Sequence, residues 1–348
     1  MSFTLGKRFS LNRRNGLLNN FNRVALVLSR NFAHVPFSSS IYFSPLWEEE
    51  VKKRAKEVYS FLARRGFSWV ELSSSSKELE LLSWVFPQLL SDSSLGKILI
   101  HRGNLGAIIN YQDHLSLFVE GEYQSLEPYW KKLNKWDDFW EGKLEYAYSE
   151  ELGYLTSSPS RLGTGFKIYM RLHLPALSFI YGEEKVFQWF KDSDKFSVEV
   201  YGENNQALAH LFVFSNLFTL GVKEIEILKT IQDFGRGVWE WEKQARASLV
   251  KSSSRQDIFR QMMECLWKEL IEENEEENEE QNEKKFLDFV SFWLLAQSEG
   301  ILPESWGFQF MKTIDLWGKV MSGRLLRGQS LKVLGFLGIE LGRIWDDV

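Results

Sequence analysis

The chain has 348 residues, of which 44% are hydrophobic and 15% aromatic, and its formal net charge is −5. These values exclude a disordered or fibrous protein, and the length suffices for one large core with a smaller second unit. The single cysteine excludes an internal disulfide, and no apolar run approaches the ~20 residues of a membrane span. We therefore expect a cytoplasmic globular protein without a membrane anchor.

Residues 1–20 are predicted to be a basic, disordered N-terminus. No acidic residue precedes Glu48, whereas six basic residues do: Lys7, Arg8, Arg13, Arg14, Arg23 and Arg30. Transit peptides and nucleic-acid-binding arms have similar charge patterns. No apolar signal-like stretch accompanies the charge, so a solvated terminus and no nucleic-acid partner are expected.

Apolar periodicity predicts the elements that follow in the chain. Helical spacing predicts a helix over 46–65. Short apolar runs interrupted by glycines predict a hairpin within 97–119, and strands are predicted over 166–174 and 195–201. From Ile225 onward the pattern is helical, and the sequence VKSSSR at 250–255 interrupts it. This interruption predicts a boundary between a domain over 21–250 and a helical domain over 251–348.

Three expectations concern the C-terminal third. The glutamate-rich run at 271–285, IEENEEENEEQNEKK, is predicted to be an acidic insertion that forms a solvated helix extension or a linker. Cys265 lies among apolar residues at helical spacing and is expected in the core. The dense aromatic residues of 286–348 are expected to expose an interface for a partner.

The stretch 151–177, ELGYLTSSPSRLGTGFKIYMRLHLPAL, resembles the signature block of the ATP:guanidino phosphotransferases, most closely that of bacterial protein-arginine kinases. In that block Gly-Tyr-Leu-Thr leads to Cys-Pro-Thr, Gly-Thr-Gly and a strand ending in His-Leu-Pro. Further blocks follow in the same order as in the family: ALVLSRNFAHVPF (25–37), NYQDHLS (110–116), VEVYGEN (198–204) and EKQARASL (242–249). The resemblance implies an α+β fold in which a phosphagen-kinase-like catalytic domain, a curved antiparallel sheet flanked by helices, precedes a helical C-terminal domain.

The resemblance also implies five arginine positions that clamp the phosphates of MgATP. In this chain those positions are Ala25, Val27, Ser116, Lys167 and Val198. Only Lys167 keeps a positive charge, and a lysine lacks the planar fork with which arginine binds phosphate. The expected nucleotide site is therefore depleted of the charge that phosphoryl transfer requires.

The positions implied for the guanidinium substrate are depleted as well. The catalytic carboxylate of the family corresponds to Gln112, a neutral amide that cannot accept a proton from a guanidinium. The thiolate position corresponds to Ser158, while Glu203 keeps its carboxylate. Asp113 and His114, next to Gln112, are expected to be a satisfied internal pair.

Two functional interpretations remain open beside a scaffold without any ligand. In the first, the chain is a pseudokinase without a cofactor that binds a protein partner: a zinc-finger adaptor, an active kinase copy, or a second copy of itself as a homodimer. In the second, it is an active protein-arginine phosphotransferase that uses MgATP and a site rebuilt from Lys167, Arg161, Arg171 and Glu203. The C-terminus lacks the terminal Arg-Asp-x-x-Arg-Ala motif of active relatives. The five histidines show no ligand spacing, so no metal site is predicted.

Overall fold

The computed structural model describes residues 22–37, 44–72, 82, 84–86, 97–123, 125–191, 193–200, 208–271 and 279–301. Glu203, most of the N-terminal region and residues 302–348 lie outside this described part. Among the described helices, none is long and apolar enough to cross a membrane.

An eight-stranded antiparallel sheet forms the centre of the described structure. In spatial order its strands are β2 (Ser68–Glu71), β3 (Ile98–Arg102), β4 (Leu105–Ile109), β5 (Leu115–Glu122), β1 (Arg23–Arg30), β8 (Phe166–His173), β10 (Leu211–Asn216) and β9 (Phe196–Val200). The short strands β6 (Tyr148–Ser149) and β7 (Gly153–Tyr154) form a separate two-stranded sheet. Strand β1 lies between β5 and β8, so the first described strand is central.

The described helices are α1 (Pro45–Ala63), α2 (Glu127–Glu141), α3 (Pro175–Tyr181), α4 (Glu183–Lys191), α5 (Glu224–Lys251), α6 (Ser253–Ile271) and α7 (Glu279–Glu299). The helix predicted over 46–65 and the strands predicted over 166–174 and 195–201 match α1, β8 and β9 to within two residues, and α5 begins one residue before Ile225, where the helical pattern starts. The predicted α+β fold, an antiparallel sheet flanked by helices, is confirmed.

One face of the sheet, the back face, packs against the helices. Successive side chains of a strand point to opposite faces, so Val24, Leu26 and Leu28 of β1 share the back face. They belong to one buried cluster with the apolar residues of α1 and α2. Helix α1 can bury this side because its residues Val51 and Ala55 lie one turn apart, as helical packing requires.

The C-terminal helices share a second part of the back-face core. Met170 of β8 and Phe214 of β10 belong to the same buried cluster as Phe259 of α6 and Phe289 of α7. A break at Ser252 separates α5 from α6. The break coincides with the boundary predicted from the sequence, while the division into two domains stays a prediction.

Of the three expectations for the C-terminal third, the one for Cys265 is wrong and the other two are tested only in part. Cys265 is exposed, because α6 instead turns Phe259 and Met263 into the core. The aromatic residues of 286–292 lie in the core of the chain itself and not on a surface, while the remainder of the predicted interface, residues 302–348, lies outside the described part and stays a prediction. Residues 279–285 of the glutamate-rich run belong to α7, as one of the two predicted alternatives has it, although the ammonium group of Lys284 binds two partly buried carboxylates; residues 272–278 lie outside the described part.

Candidate functional site

Three of the five predicted clamp positions point to the same side of the sheet, the front face. Val27 is paired with Lys167 of β8 and with Phe118 of β5, and Ala25 is paired with Tyr169 of β8. Cross-strand partners project to the same face of an antiparallel sheet. The register therefore places Ala25, Val27 and Lys167 side by side on the face opposite the helices.

Ser116 also lies on the front face, whereas Val198 does not. Ser116 is buried and is paired with Ile108 of β4, a front-face residue. Val198 is paired with Phe214 and packs against the back-face core. Its neighbour Glu199 points to the front. The structure thus brings four of the five positions together and separates the fifth from them.

The front face is covered by an apolar segment that the sequence reasoning missed. Leu72, Leu82 and residues 84–86 form one buried cluster with Ala25, Val27, Leu99, Ile108 and Phe118, and Tyr111 and Tyr169 pack against its edge. Trp84 is 4% exposed, and the ring of Phe86 contacts those of Phe118 and Tyr111 at centroid distances of 5.7 and 5.2 Å. The apolar run LLSWVFPQLL at 81–90 is the signal that could have revealed this covering segment.

Lys167, the clamp position that keeps its charge, binds main-chain carbonyl groups. Its ammonium group donates to the carbonyl oxygens of Asn216 and, at 3.3 Å, of Leu217. Burial, together with the nearby positive charge of Arg161, lowers the pKa of Lys167 to about 8, and the carboxylate of Glu199 opposes this shift. The ammonium group is therefore already hydrogen-bonded to main-chain carbonyl groups at the end of β10.

Arg161 contacts Gln112, the position at which the resemblance implies the catalytic carboxylate. Its Nε donates to Oδ2 of Asp113 at 3.0 Å, and its Nη1 donates to Oε1 of Gln112. The side chain is 13% exposed, and that of Asp113 is fully buried. A guanidinium group from within the chain thus binds the two residues that follow Tyr111.

Asp113 and His114 are both buried and hydrogen-bonded, but to partners other than each other. Oδ1 of Asp113 accepts bonds from the Asn31 side chain at 2.9 Å and from the Ser157 amide at 2.6 Å. Nδ1 of His114 accepts a bond from the Phe32 amide, so its Nε2 is the atom that donates to the Pro36 carbonyl. Burial lowers the pKa of His114 to about 4, and the ring is neutral at physiological pH.

The remaining predicted site residues serve local structure. Arg171 is buried with its guanidinium carbon 5.0 Å from the centre of the Trp84 ring. The Ser158 hydroxyl lies 3.0 Å from that of Ser160. In the following turn Gly165 has a φ of +66°, and a Cβ there would lie 2.5 Å from the Ser29 carbonyl oxygen. The second glycine of the Gly-Thr-Gly motif is thus required by the close approach of this turn to β1.

Two buried ion pairs explain other parts of the sequence blocks. Arg30 at the end of β1 binds Asp137 of α2 at 2.5 Å and stacks on the Tyr154 ring. Glu242 of α5 accepts bonds from the Ala176 and Leu177 amides at the start of α3, at 3.1 and 3.0 Å. Arg246 completes this second pair with a bond of 2.7 Å to Glu242. These residues hold the sheet and helices together and lie away from the front face.

One group of possible metal ligands occurs among the described residues. The ligand atoms of Glu183, His210 and Asp288 lie within 4.8 Å of one another. The ammonium group of Lys284 binds the two carboxylates at 3.2 and 2.8 Å and already supplies the cation. His210 is also bonded through Nδ1 to the Ser291 hydroxyl at 2.8 Å. The arrangement suits an internal ion pair better than a metal ion.

The fold has counterparts among solved structures. A crystal structure of lombricine kinase aligns with 65% of this chain and 67% of its own chain at a TM-score of 0.51 and 18% sequence identity. The duplicated taurocyamine kinase from Schistosoma mansoni, solved with bound transition-state-analogue components, aligns with 63% of this chain and 32% of its own at the same score and identity. At such identity these likenesses concern the fold alone.

Sequence comparisons lead to the family. The chain is 32% identical over 264 residues to a protein-arginine kinase of Brevibacillus brevis, covering 72% of each chain. It is 27% identical over 215 residues to a protein-arginine kinase of Staphylococcus epidermidis, covering 61% of this chain and 64% of that protein. The model of the ATP:guanido phosphotransferase C-terminal catalytic domain matches residues 51–245. The chain therefore belongs to the ATP:guanido phosphotransferase family and is a homologue of the protein-arginine kinases.

Proposed function

We propose that this chain is a pseudokinase: it has lost phosphoryl transfer and acts by binding a protein partner. One observation carries the proposal. Ala25 and Val27, two of the positions implied for the phosphate clamp, are buried in an apolar cluster beneath Trp84 and Phe86. A triphosphate brings a high negative charge, and moving such charge into an apolar environment without paired cations is strongly unfavourable.

The remaining cations do not offset this loss. Lys167 is bound to carbonyl groups, Arg161 is bound to Asp113 and Gln112, and Arg171 is buried beside Trp84. Four missing arginine–phosphate contacts at roughly 1.5 kcal/mol each would weaken nucleotide binding by ~6 kcal/mol. That is about 10⁴-fold in affinity. The internal contacts of these three cations weigh against a site rebuilt from Lys167, Arg161, Arg171 and Glu203.

A protein-binding role is supported by an apolar surface around the turn after β10. A groove of about 330 Å³ lies between the β6–β7 hairpin and residues 219–224. Exposed apolar side chains line it, namely Tyr148, Leu152 and Leu220, and exposed Phe218 and Ile225 directly precede and follow its lining residues 219–224 in the chain. Apolar surface of this density is a mark of interaction sites. The proposed occupants are a zinc-finger adaptor, an active kinase copy or a second copy of this chain.

The loss of phosphoryl transfer is tested by nucleotide binding and by phosphate transfer. We expect millimolar MgATP to leave the unfolding temperature unchanged, because a ligand stabilises only the state that it binds. Labelled phosphate from ATP should not reach protein arginine above the level of a Glu203→Ala control. The Brevibacillus brevis relative provides the positive control. A rise of several degrees with MgATP that disappears in Lys167→Ala would contradict the proposal.

The partner surface is tested by light scattering and by a matched pair of variants. Phe218 is 62% exposed beside the groove, and Phe61 of α1 is 53% exposed elsewhere. If a second copy is the occupant, Phe218→Asp should convert a dimer into a monomer, and Phe61→Asp should not. If an adaptor is the occupant, the same difference should appear in adaptor binding. Equal effects of the two variants would show that another surface is used.

A further inference from the structure

Arg161 and the two residues that bind it form a cation site inside one chain. Arginine has five donor groups in a rigid planar arrangement. Here two of them meet acceptors of different kinds, the carboxylate of Asp113 at 3.0 Å and the amide oxygen of Gln112. The arginine side chain is 13% exposed, so the site lies close to the surface while most of it is shielded from water.

The Asp113 carboxylate is held in place independently of Arg161. The first carboxylate oxygen of Asp113 is fixed by the Asn31 side chain and the Ser157 amide. Its second oxygen receives the bond from Arg161. The Arg161 backbone is held in a short turn, in which its amide donates to the Ser158 carbonyl at 3.0 Å. Shortening the arginine side chain would therefore leave the Asp113 carboxylate in its present position.

We infer that Arg161 is an internal ligand that fills a guanidinium-binding site formed by Gln112 and Asp113, and that it closes this site to guanidinium groups from other molecules. The inference rests on the proposed function in one respect, since a chain that held a substrate at Gln112 would have to displace Arg161 first. A free guanidinium compound competes poorly, because the internal side chain is tethered at a high effective concentration.

The experiment is chemical rescue of a side-chain deletion. Arg161→Ala should unfold at a lower temperature than the unmodified protein, because it leaves the buried Asp113 carboxylate without its cation. Low-millimolar methylguanidinium chloride should raise that temperature again, whereas methylammonium at the same concentration should do so less, since it lacks the planar pair of donors. The unmodified protein should show no rise with either compound.

Arg54→Ala is the matched control. Arg54 also binds one carboxylate, Glu50 at 2.9 Å, and one carbonyl, Ala33 at 3.1 Å, but its side chain is 29% exposed on α1. Methylguanidinium should not restore stability to this variant. Equal rescue of the two variants, or no rescue of a folded Arg161→Ala protein, would overturn the inference.

A second variant tests the site without deleting the arginine. Gln112→Glu in the otherwise unmodified chain should raise the unfolding temperature by about 2–4 °C, because the bond from Arg161 would then join two opposite charges. In the Arg161→Ala background the same change should tighten methylguanidinium binding about tenfold. A lower unfolding temperature for Gln112→Glu alone would refute the inference, even if Arg161→Ala failed to fold. MgATP binding by the unmodified chain would contradict the proposed loss of activity. It would not change the expected results for Arg161→Ala and Gln112→Glu, so the two proposals can fail separately.

Discussion

Replacing Trp84 with alanine tests whether the front face of the sheet is filled by the chain itself. Trp84 is 4% exposed and lies in the cluster that contains Ala25 and Val27. A buried aromatic side chain removes roughly 150–250 Å² from water, which corresponds to about 4–6 kcal/mol. Measured truncations of buried tryptophan cost ~3–5 kcal/mol. We therefore expect the free energy of unfolding of Trp84→Ala to fall by about 3–5 kcal/mol.

Chemical denaturation, followed by circular dichroism, measures this change. Trp189 of α4 supplies the control, because it is an exposed tryptophan (43%) whose truncation should cost less than ~0.5 kcal/mol. The cavity left by Trp84 should also expose Arg171, which now lies against the indole ring. A loss of less than about 1 kcal/mol in Trp84→Ala would refute the covered front face and remove the main support for the pseudokinase proposal.

Two further predictions concern buried polar groups. The folded protein holds the pKa of His114 at about 4 against an unfolded value near 6.5, so stability is present above pH 6.5 and is lost as pH falls towards 4. His114→Gln should remove about 3 kcal/mol of this pH dependence, measured as the difference between the two stability–pH curves; parallel curves would contradict the assignment. Glu242→Ala should cost about 3–5 kcal/mol in denaturant unfolding, because it removes the nearest carboxylate from buried Arg246 and the acceptor from two amides of α3. The exposed Glu240 on the same helix is the control, and its truncation should cost almost nothing.

The sequence predicted the fold well because its signals are local and repeated. Helical spacing in α1 and the short apolar runs of the hairpin within 97–119 each depend on a few neighbouring residues, and the motif blocks occur in family order. The same blocks contain structural residues such as Arg30, Glu242 and Gly165, whose contacts explain why these blocks keep their form. Retained motifs therefore predicted the architecture more directly than they predicted the chemistry.

The candidate site was only partly predictable, since it depends on contacts between distant segments. Nothing periodic marks Trp84 as a neighbour of Ala25, because the two residues meet only when the segment after β2 folds over the sheet. The partners of Arg161 were equally hidden, with Gln112 lying 49 positions away in the chain. Val198 was assigned by position in a motif, and the register of β9 turned it to the back face.

Restoring the two arginine positions of β1 separates two explanations for the proposed loss of nucleotide binding. If only charge is missing, the double variant Ala25→Arg, Val27→Arg should fold and be stabilised by MgATP. Saturation at about 100 times the dissociation constant would add ~2.7 kcal/mol. If the covering segment excludes the nucleotide, two guanidinium groups would instead be forced against Trp84 and Phe118.

We expect the second outcome. Both positions are buried in an apolar cluster, and an unpaired buried charge carries a penalty of several kcal/mol. The double variant should therefore lose more than ~5 kcal/mol of stability or fail to fold, and MgATP should not restore it. Glu120→Arg is the control. Glu120 of β5 is paired with Ala25, so the change also adds an arginine to the front face of the sheet, but at a partly exposed position.

Combining the double variant with Trp84→Ala completes the argument, because it gives the new arginines space and access to water. Stabilisation by MgATP in this triple variant alone would identify the covering segment as the element that keeps nucleotide out. The double variant could instead fold as stably as the unmodified chain and be stabilised by MgATP with Trp84 in place. That result would show that the covering segment does not exclude the nucleotide. The loss of activity would then rest on the missing charges alone.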